Sequence, residues 1–304
     1  TANWDYVYWD IDIPVVQTLH NYRLLCASAL FFRKGKPCID CLTRSFAWPA
    51  FLYSCYRDSF MATAGVEAMV LFHRLLSTWR KRVDCYITLS EFARQLFIQG
   101  GIPLEKLCVM PNFVYSDPGK KESQRKYALF VGRLSTEKGI DILLRAWSSL
   151  GKIPLHLAGE GPRQAAINSM INDLHLQNIV LAGQISRERV FELLKSAKML
   201  VFPSLCYEGF PLVIAEAFAC GVPVIASRLG AMAEIIEDGK TGLLFTAGDP
   251  VDLAAKVDWA WNHPIELAEM GRIARREYEQ KYSAEVHYKS LMAIYSQTIK
   301  NHCR

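Results

Sequence analysis

From residue 127 onward the sequence predicts a doubly wound α/β domain, a parallel sheet with crossover helices on its faces. Two observations carry this. Five short apolar runs alternate with stretches of helical periodicity, and most of the runs end in Gly, Ser or Pro. The runs are YALFVG at 127–132, PLHLAG at 154–159, NIVLAG at 178–183, MLVFPS at 199–204 and VPVIAS at 222–227. Between them Leu143, Ala146, Trp147 and Leu150 fall at i, i+3, i+4 and i+7, as do Ile167, Met170, Ile171 and Leu174, and then Val190, Leu193, Leu194 and Ala197, giving three helices with one apolar face each. In such sheets ligands bind beyond the carboxyl ends of the strands, so a site is sought there.

The 304 residues suffice for two domains with their own cores. Residues 116–126, SDPGKKESQRK, hold no apolar side chain and read as a linker. Before it, 15–19 and 86–89 read as strands around a long helical and irregular stretch, too little for a complete second Rossmann-like domain. The start at Thr1 fits a fragment lacking the first strands. Beyond Gly271 the chain is helical and charged. A last helix at 285–299, apolar at Val286, Leu291, Ile294 and Tyr295, is expected to dock on the first domain. The expected divisions are 1–115, 116–126, 127–283 and 284–304.

Composition is that of a folded globular chain, about half apolar and 21% charged. The net charge of +5 suits an anionic small substrate or membrane surface and is too weak to argue for nucleic acid. Nine cysteines, odd in number and unevenly spaced, point to reduced thiols and a cytoplasmic location. The apolar stretch at 68–76 is interrupted by His73 and Arg74 and falls short of a bilayer span.

The most informative segment is PSLCYEGFPLVIAEAFACGVPVIAS. Pro211 suits a first helical turn and Gly221 a helix C-cap, which bounds a helix between them. Its start favours a phosphate, and Gly209 lets one approach the backbone. Glu216 sits within this apolar helix, where an ionised carboxylate needs strong donors such as sugar hydroxyls. Glu208 stands eight residues earlier, at most about 12 Å away along a helix. Two carboxylates would thus bracket a phosphate at the scale of a nucleotide sugar. Otherwise Glu208 is a solvated loop residue and Glu216 pairs with a nearby cation.

After the first strand of this domain the chain reads GRLSTEKGIDILL, with Arg133 and Lys138 at the strand-to-helix turn. A planar fork and a compact charge are complementary ways to hold a diphosphate and stabilise it as a leaving group. The alternative is a surface pair with Glu137.

Cys26, Cys38, Cys41 and Cys55 are spaced C-x11-C-x2-C-x13-C. Four thiolates so spaced can close a tetrahedral structural zinc site, or pack as buried free thiols. The segment 66–82, VEAMVLFHRLLSTWRKR, is either a helix lying on an anionic inner leaflet, with Trp79, Arg80, Lys81 and Arg82 at its end, or a plain core helix with a solvated basic end.

Taken together, GRLSTEKG, GEGP at 159–162 and the E-x7-E segment resemble glycosyltransferase family 4, retaining enzymes of the GT-B fold. The resemblance runs through essentially the whole chain from Val15, and TLHNYRLLC, GKPCIDC and TLSEFA are similar to the acceptor-side half of bacterial members that build surface polysaccharides. It implies two Rossmann-like domains facing a cleft, the N-terminal one truncated here. It implies Arg133 and Lys138 on the donor diphosphate, Glu208 on the transferred sugar and Glu216 on the ribose. Gly209, Phe210, Pro211 and Leu212 would give backbone contacts, Gly183 and Gln184 would lie near the base, and His20 would face the donor sugar. It further implies transfer with retention to a glycan or lipid-linked acceptor at the inner face of the plasma membrane, with no cofactor required for catalysis. A front-face route fits, in which the departing diphosphate oxygen takes the acceptor's proton. The family's first strand and glycine-rich loop are missing from the chain. A nucleotide-sugar epimerase of similar build and a non-catalytic sugar-nucleotide binder are the alternatives. A zinc-dependent nucleic-acid module would need a basic aromatic surface, which the sequence does not announce.

Overall fold

The structure, a computed structural model, describes residues 13–120 and 126–302. Residues 121–125 of the expected linker, the chain start at Thr1, and Cys303 lie outside the described residues. The described chain forms two compact units, one of residues 1–112 with 287–304 and one of residues 113–286.

In the second unit each apolar run becomes a strand. The strands are β6 (Tyr127–Val131), β7 (Leu155–Ala158), β8 (Ile179–Gly183), β9 (Ala197–Phe202), β10 (Val224–Ser227) and β11 (Gly242–Phe245). All pair in parallel in the order β11-β10-β9-β6-β7-β8, so the chain reverses its lateral direction between β6 and β9. Strand order reverses there, and a crevice opens at the carboxyl ends. The strands alternate with α5 (Ile140–Leu150), α6 (Gln164–Asp173), α7 (Arg187–Ser196), α8 (Leu212–Ala219) and α9 (Gly230–Ile235), after which α10 (Pro250–Asn262) and α11 (Pro264–Glu277) follow β11. Leu143, Ala146, Trp147 and Ile167 are buried in one core with Phe130, Leu157 and Val201, while Met170, Ile171 and Leu174 are half-buried against it.

Two details differ from the sequence pattern. Ala197 closes no helix: it opens β9, fully buried, because α7 stops at Ser196. β11, GLLF, is a sixth strand beyond the five runs of the pattern, entered directly from the turn at 238–241.

In the first unit β1 (Val16–Leu19), β4 (Cys85–Thr88) and β5 (Leu107–Val109) form a three-stranded parallel sheet in the order β1-β4-β5. β5 was not evident from the sequence. Between β1 and β4 lie a two-residue hairpin, β2 (Phe32–Arg33) with β3 (Lys36–Pro37), and then α1 (Trp48–Leu52), α2 (Phe60–Leu75) and α3 (Thr78–Lys81); α4 (Glu91–Gln99) follows β4. The single helix expected at 66–82 is therefore two, broken at Ser77 in the left-handed conformation. Trp79, read as an interfacial anchor, is buried instead. Among the described residues no helix is long and apolar enough to cross a membrane. The last helix, α12 (Ala284–His302), buries Thr298, whereas Tyr295 is exposed despite its place in the apolar pattern.

The four N-terminal cysteines line one small cavity of about 20 Å³ together with Ala27, Phe31 and Ala50. Burial first, and their mutual proximity second, push Cys41 up to about 12 and Cys55 up to about 11. As they stand, no group of three or more His, Cys, Asp or Glu among the described residues is arranged to hold a metal ion. In this structure the four are free thiols lining a shared space. Glu67 of α2 lies close enough to raise Cys41 and Cys55 further, and burial lifts its own carboxyl to about 7 against the pull of Arg74 and Arg23.

Two predictions follow from packing. A Cβ at Gly139, whose φ is +70°, would stand 1.9 Å from the Pro203 carbonyl oxygen, whereas one on the exposed helical Gly65 meets nothing within 4 Å. Gly139→Ala should lower unfolding stability by at least about 1 to 3 kcal/mol, and Gly65→Ala should raise it by about 0.4 to 1 kcal/mol, in urea titrations. Glu67 binds its proton more tightly folded than unfolded, so its contribution favours the fold at low pH and is lost as pH rises from about 4.5 to about 7. Glu67→Gln should flatten that part of the stability–pH curve.

Candidate functional site

The site is built where β6 and β9 diverge. The turn after β6 carries Arg133, Ser135, Glu137 and Lys138, and the loop after β9 carries Ser204, Cys206 and Glu208 before α8 begins. A backbone bond sews the two loops together: Leu205 N–H donates to the Glu137 carbonyl at 2.8 Å, and the Ser204 hydroxyl oxygen lies 3.2 Å from the same carbonyl oxygen. Gly139 permits this approach.

Across the seam Lys138 Nζ donates to Glu208 Oε1 at 2.6 Å, and Ser204 Oγ donates to that same oxygen at 2.7 Å. Both side chains are mostly covered, with 22% and 14% exposed. Burial pulls the Lys138 pKa down, but attraction to Glu208 outweighs it and the net movement is upward, so Lys138 is a cation at any physiological pH. The sequence assigned one residue to a diphosphate and the other to a sugar. In the structure they hold each other, across 70 residues of chain.

Glu208 leads through Gly209, buried Phe210 and buried Pro211 into α8. Pro211 is the N-cap, one position earlier than a first-turn proline, and Leu212 opens the helix, partly exposed. The helix start supplies partial positive charge beside the ion pair. At the far end Gly221, with φ +65°, follows the C-cap Cys220. Phe210 packs edge-on against Tyr282, with ring centroids 5.4 Å apart, which fixes the loop from behind.

Within α8 Glu216 is 8% exposed, and Arg187, first residue of α7, reaches it with Nε 3.5 Å from Oε1. Burial raises the Glu216 pKa, and Arg187 opposes the rise. The carboxylate thus has a cationic partner, as the alternative reading of Glu216 required. Arg187 was missed from sequence, although Ser186 before it is a recognisable N-cap.

Arg133 is exposed on a cavity of about 730 Å³, lined also by Glu160, Gly161, Pro162, Gln164, Leu181 and Gly183, at the carboxyl ends of β6, β7 and β8. Those ends interlock: the Gly132 amide donates to Ala158, Gly159 to Gly183 and Leu134 to Glu160. A Cβ on Gly159 would stand 2.0 Å from the Gly132 carbonyl oxygen, and one on Gly161 2.3 Å from that of Leu134. Gln184 N–H donates to Glu160 Oε1 at 3.4 Å, which places Gln184 at the same rim. Glu160, like Arg187, was not singled out from sequence, though it lies inside the GEGP motif.

His20 is exposed in the first unit, just after β1. The first unit has its own cavity of about 320 Å³, walled by Arg44, His73, Arg74, Trp79 and Arg80 near the C-terminal end of α4. It does not sit at the carboxyl end of a strand.

A double-mutant cycle tests the seam. Lys138→Met and Glu208→Gln should each destabilise the fold. Their coupling by urea denaturation should be about 1 to 3 kcal/mol, and a coupling near zero would mean that the pair does not form in solution.

With this geometry established, the chain was compared with known proteins. It is 34% identical over 161 residues to the D-rhamnosyltransferase WbpZ of Pseudomonas aeruginosa, covering 52% of this chain and 42% of that one. It is 25% identical over 249 residues to the O-antigen chain mannosyltransferase C of Escherichia coli, covering 77% and 66%. The chain spans about half the length of the curated relatives it matches first. Among solved structures it is similar to Anabaena HepE in complex with UDP, with a TM-score of 0.72 at 19% identity over 93% of this chain and 72% of that one. It is also similar to Staphylococcus aureus TarM in complex with Fondaparinux, alpha-GlcNAc-glycerol and UDP, with a TM-score of 0.65 at 24% identity over 76% and 46%. These likenesses show the fold, which is GT-B. The model of the family described as glycosyl transferases group 1 matches residues 114–277, more than half the chain and all of the ion-paired seam, and this chain belongs to that family.

Proposed function

We propose that the protein transfers a sugar, with retention, from a nucleotide-diphosphate donor to a glycan or lipid-linked acceptor in the building of cell-surface polysaccharide, as a family 4 hexosyltransferase at the cytoplasmic face of the plasma membrane. The observation that carries the reading is the Lys138–Glu208 pair at the point where the strand order reverses, with α8 starting four residues after Glu208 and Arg133 on the adjoining cavity. The named activities of the relatives and the UDP bound in the similar structures are in keeping with it.

In this reading the diphosphate lies at the start of α8, against the backbone of Gly209, Phe210, Pro211 and Leu212. Arg133 and Lys138 neutralise it. Glu208 takes hydroxyls of the transferred sugar, Glu216 takes the ribose, and Gly183 and Gln184 flank the base. The bond from the anomeric carbon to the diphosphate oxygen breaks, and the negative charge passes to the phosphate, where two cations stabilise it most in the transition state. The acceptor hydroxyl forms the new bond on the same face, and its proton leaves to the departing phosphate oxygen. Lys138 is suited to this because its charge is held by Glu208 before substrate arrives, so little reorganisation remains at the reacting moment. His20 is proposed to face the donor sugar.

The test is nucleoside diphosphate release from a panel of UDP-, GDP- and other sugar donors by the full-length protein, with and without lipid acceptor extract. Acceptor-dependent release is expected. Arg133→Ala and Glu208→Gln should each lower kcat by about 10- to 100-fold, the kinetic equivalent of one charged hydrogen bond of about 1.5 to 3 kcal/mol. Interconversion of donors without transfer would replace this reading by an epimerase, and unchanged turnover in both variants would remove the site assignment.

A further inference from the structure

The segment between β2 and the first turn of α2 buries Leu42 but otherwise places small residues inside and several large ones outside. Its own small core is Ala27, Ala47 and Ala50, with Cys41, Cys55, Tyr56 and Val66 packed against it. Outside it stand Phe46 (47% exposed), Trp48 (49%), Leu52 (65%), Tyr53 (40%), Phe60 (57%) and Met61 (76%). α1 shows the inversion within one turn: Pro49 and Ala50 are buried, while Trp48 and Leu52, four apart and so on one face, are exposed. A segment selected only to fold would reverse this, since burying Trp or Leu stabilises far more than burying Ala.

Two of the exposed rings are linked through half-buried Phe51. Phe46 contacts Phe51 at a centroid distance of 5.2 Å, and Phe51 contacts Phe60 at 6.0 Å, linking the loop, α1 and the start of α2. Cations lie over the rings: Arg33 is 3.9 Å and Lys34 5.1 Å from the centre of Tyr53, and Arg44 is 5.1 Å from that of Trp48. Residues 30–62 hold five Lys or Arg against two Asp, one of which is bonded to Arg33. Apolar patches of this kind on a soluble face mark interaction sites.

The geometry points to this surface as one that seats on an anionic lipid bilayer. Aromatic and aliphatic side chains enter the headgroup boundary, and Arg33, Lys34, Lys36, Arg44 and Arg57 meet lipid phosphates. Charge disfavours a twofold contact with a second copy of the chain, because a self-complementary contact would oppose like-charged groups. A basic aromatic surface, which the sequence did not announce, also fits single-stranded nucleic acid. The exposed Leu52 and Met61 and the rings already covered by the protein's own cations favour lipid, since base stacking needs open ring faces. The inference deepens the proposed function by giving the lipid-linked acceptor's membrane a seat, and rests on that reading for its purpose alone.

The experiment is co-sedimentation of the full-length protein with phosphatidylcholine vesicles, with and without one third phosphatidylglycerol, in the absence of donor and acceptor. The wild type should bind the anionic vesicles at least about tenfold more tightly than the neutral ones, and about 0.5 M salt should remove most of the difference. Trp48→Ser with Leu52→Ser and Met61→Ser should lose the binding while circular dichroism and, where transfer is detected, turnover on a water-soluble acceptor stay unchanged. Separate substitution of Lys34→Glu with Lys36→Glu should abolish the preference for anionic vesicles. No binding by the wild type, equal binding by the variants, self-association in analytical ultracentrifugation that the triple variant removes, or tighter binding to a single-stranded oligonucleotide than to vesicles would each overturn the proposal. Transfer itself is read separately, so failure of either leaves the other standing.

Discussion

One ion pair sits at the centre of the second unit. Sheet order carries the chain away from β6 in both directions, so the loops after β6 and β9 would part at the carboxyl edge unless something spanned the gap. Lys138 and Glu208 span it at 2.6 Å, supported by Ser204 and by the backbone bond from Leu205 to Glu137. A covered cation and carboxylate are costly to desolvate and contribute only when geometry and further hydrogen bonds are good. Here the further bonds are present, and the pair sits beside a helix start, so the field at that point is set before any ligand arrives.

The elements that depend on local pattern were legible in the sequence. Apolar runs stopping at Gly, Ser or Pro marked five of the six strands of the large sheet, and the spacing of Leu143, Ala146 and Trp147 marked the buried face of α5. What the pattern missed was either very short, as with three-residue β5, or depended on sheet order. Lys138 and Glu208 look like two separate ligand groups in the sequence because nothing local says that β6 and β9 are neighbours. The same holds for Arg187, which meets Glu216 only because α7 and α8 pack together. Motif spacing named most of the loop residues and was silent on which of them touch.

In the first unit the sequence misled in a different way. A continuous run of helical periodicity through Trp79 concealed a break, because one left-handed residue, Ser77, redirects the chain and turns the indole inward. Large exposed side chains stand both on the irregular stretch and α1 before it and on α2 itself, at Phe72 and Leu75. The cysteine spacing did foretell convergence, since all four line one cavity. It could not foretell how burial raises the pKa of Cys41 and Cys55.

The interlocked glycines limit where this part of the fold can vary. At Gly159 and Gly161 even one added methyl would collide with a carbonyl of the neighbouring turn, so these positions offer evolution almost no room to experiment. Variation must enter through the rim, at side chains such as Gln164 and Leu181, which line the same hollow. A library built on this scaffold would randomise that rim first and leave the glycine joints alone.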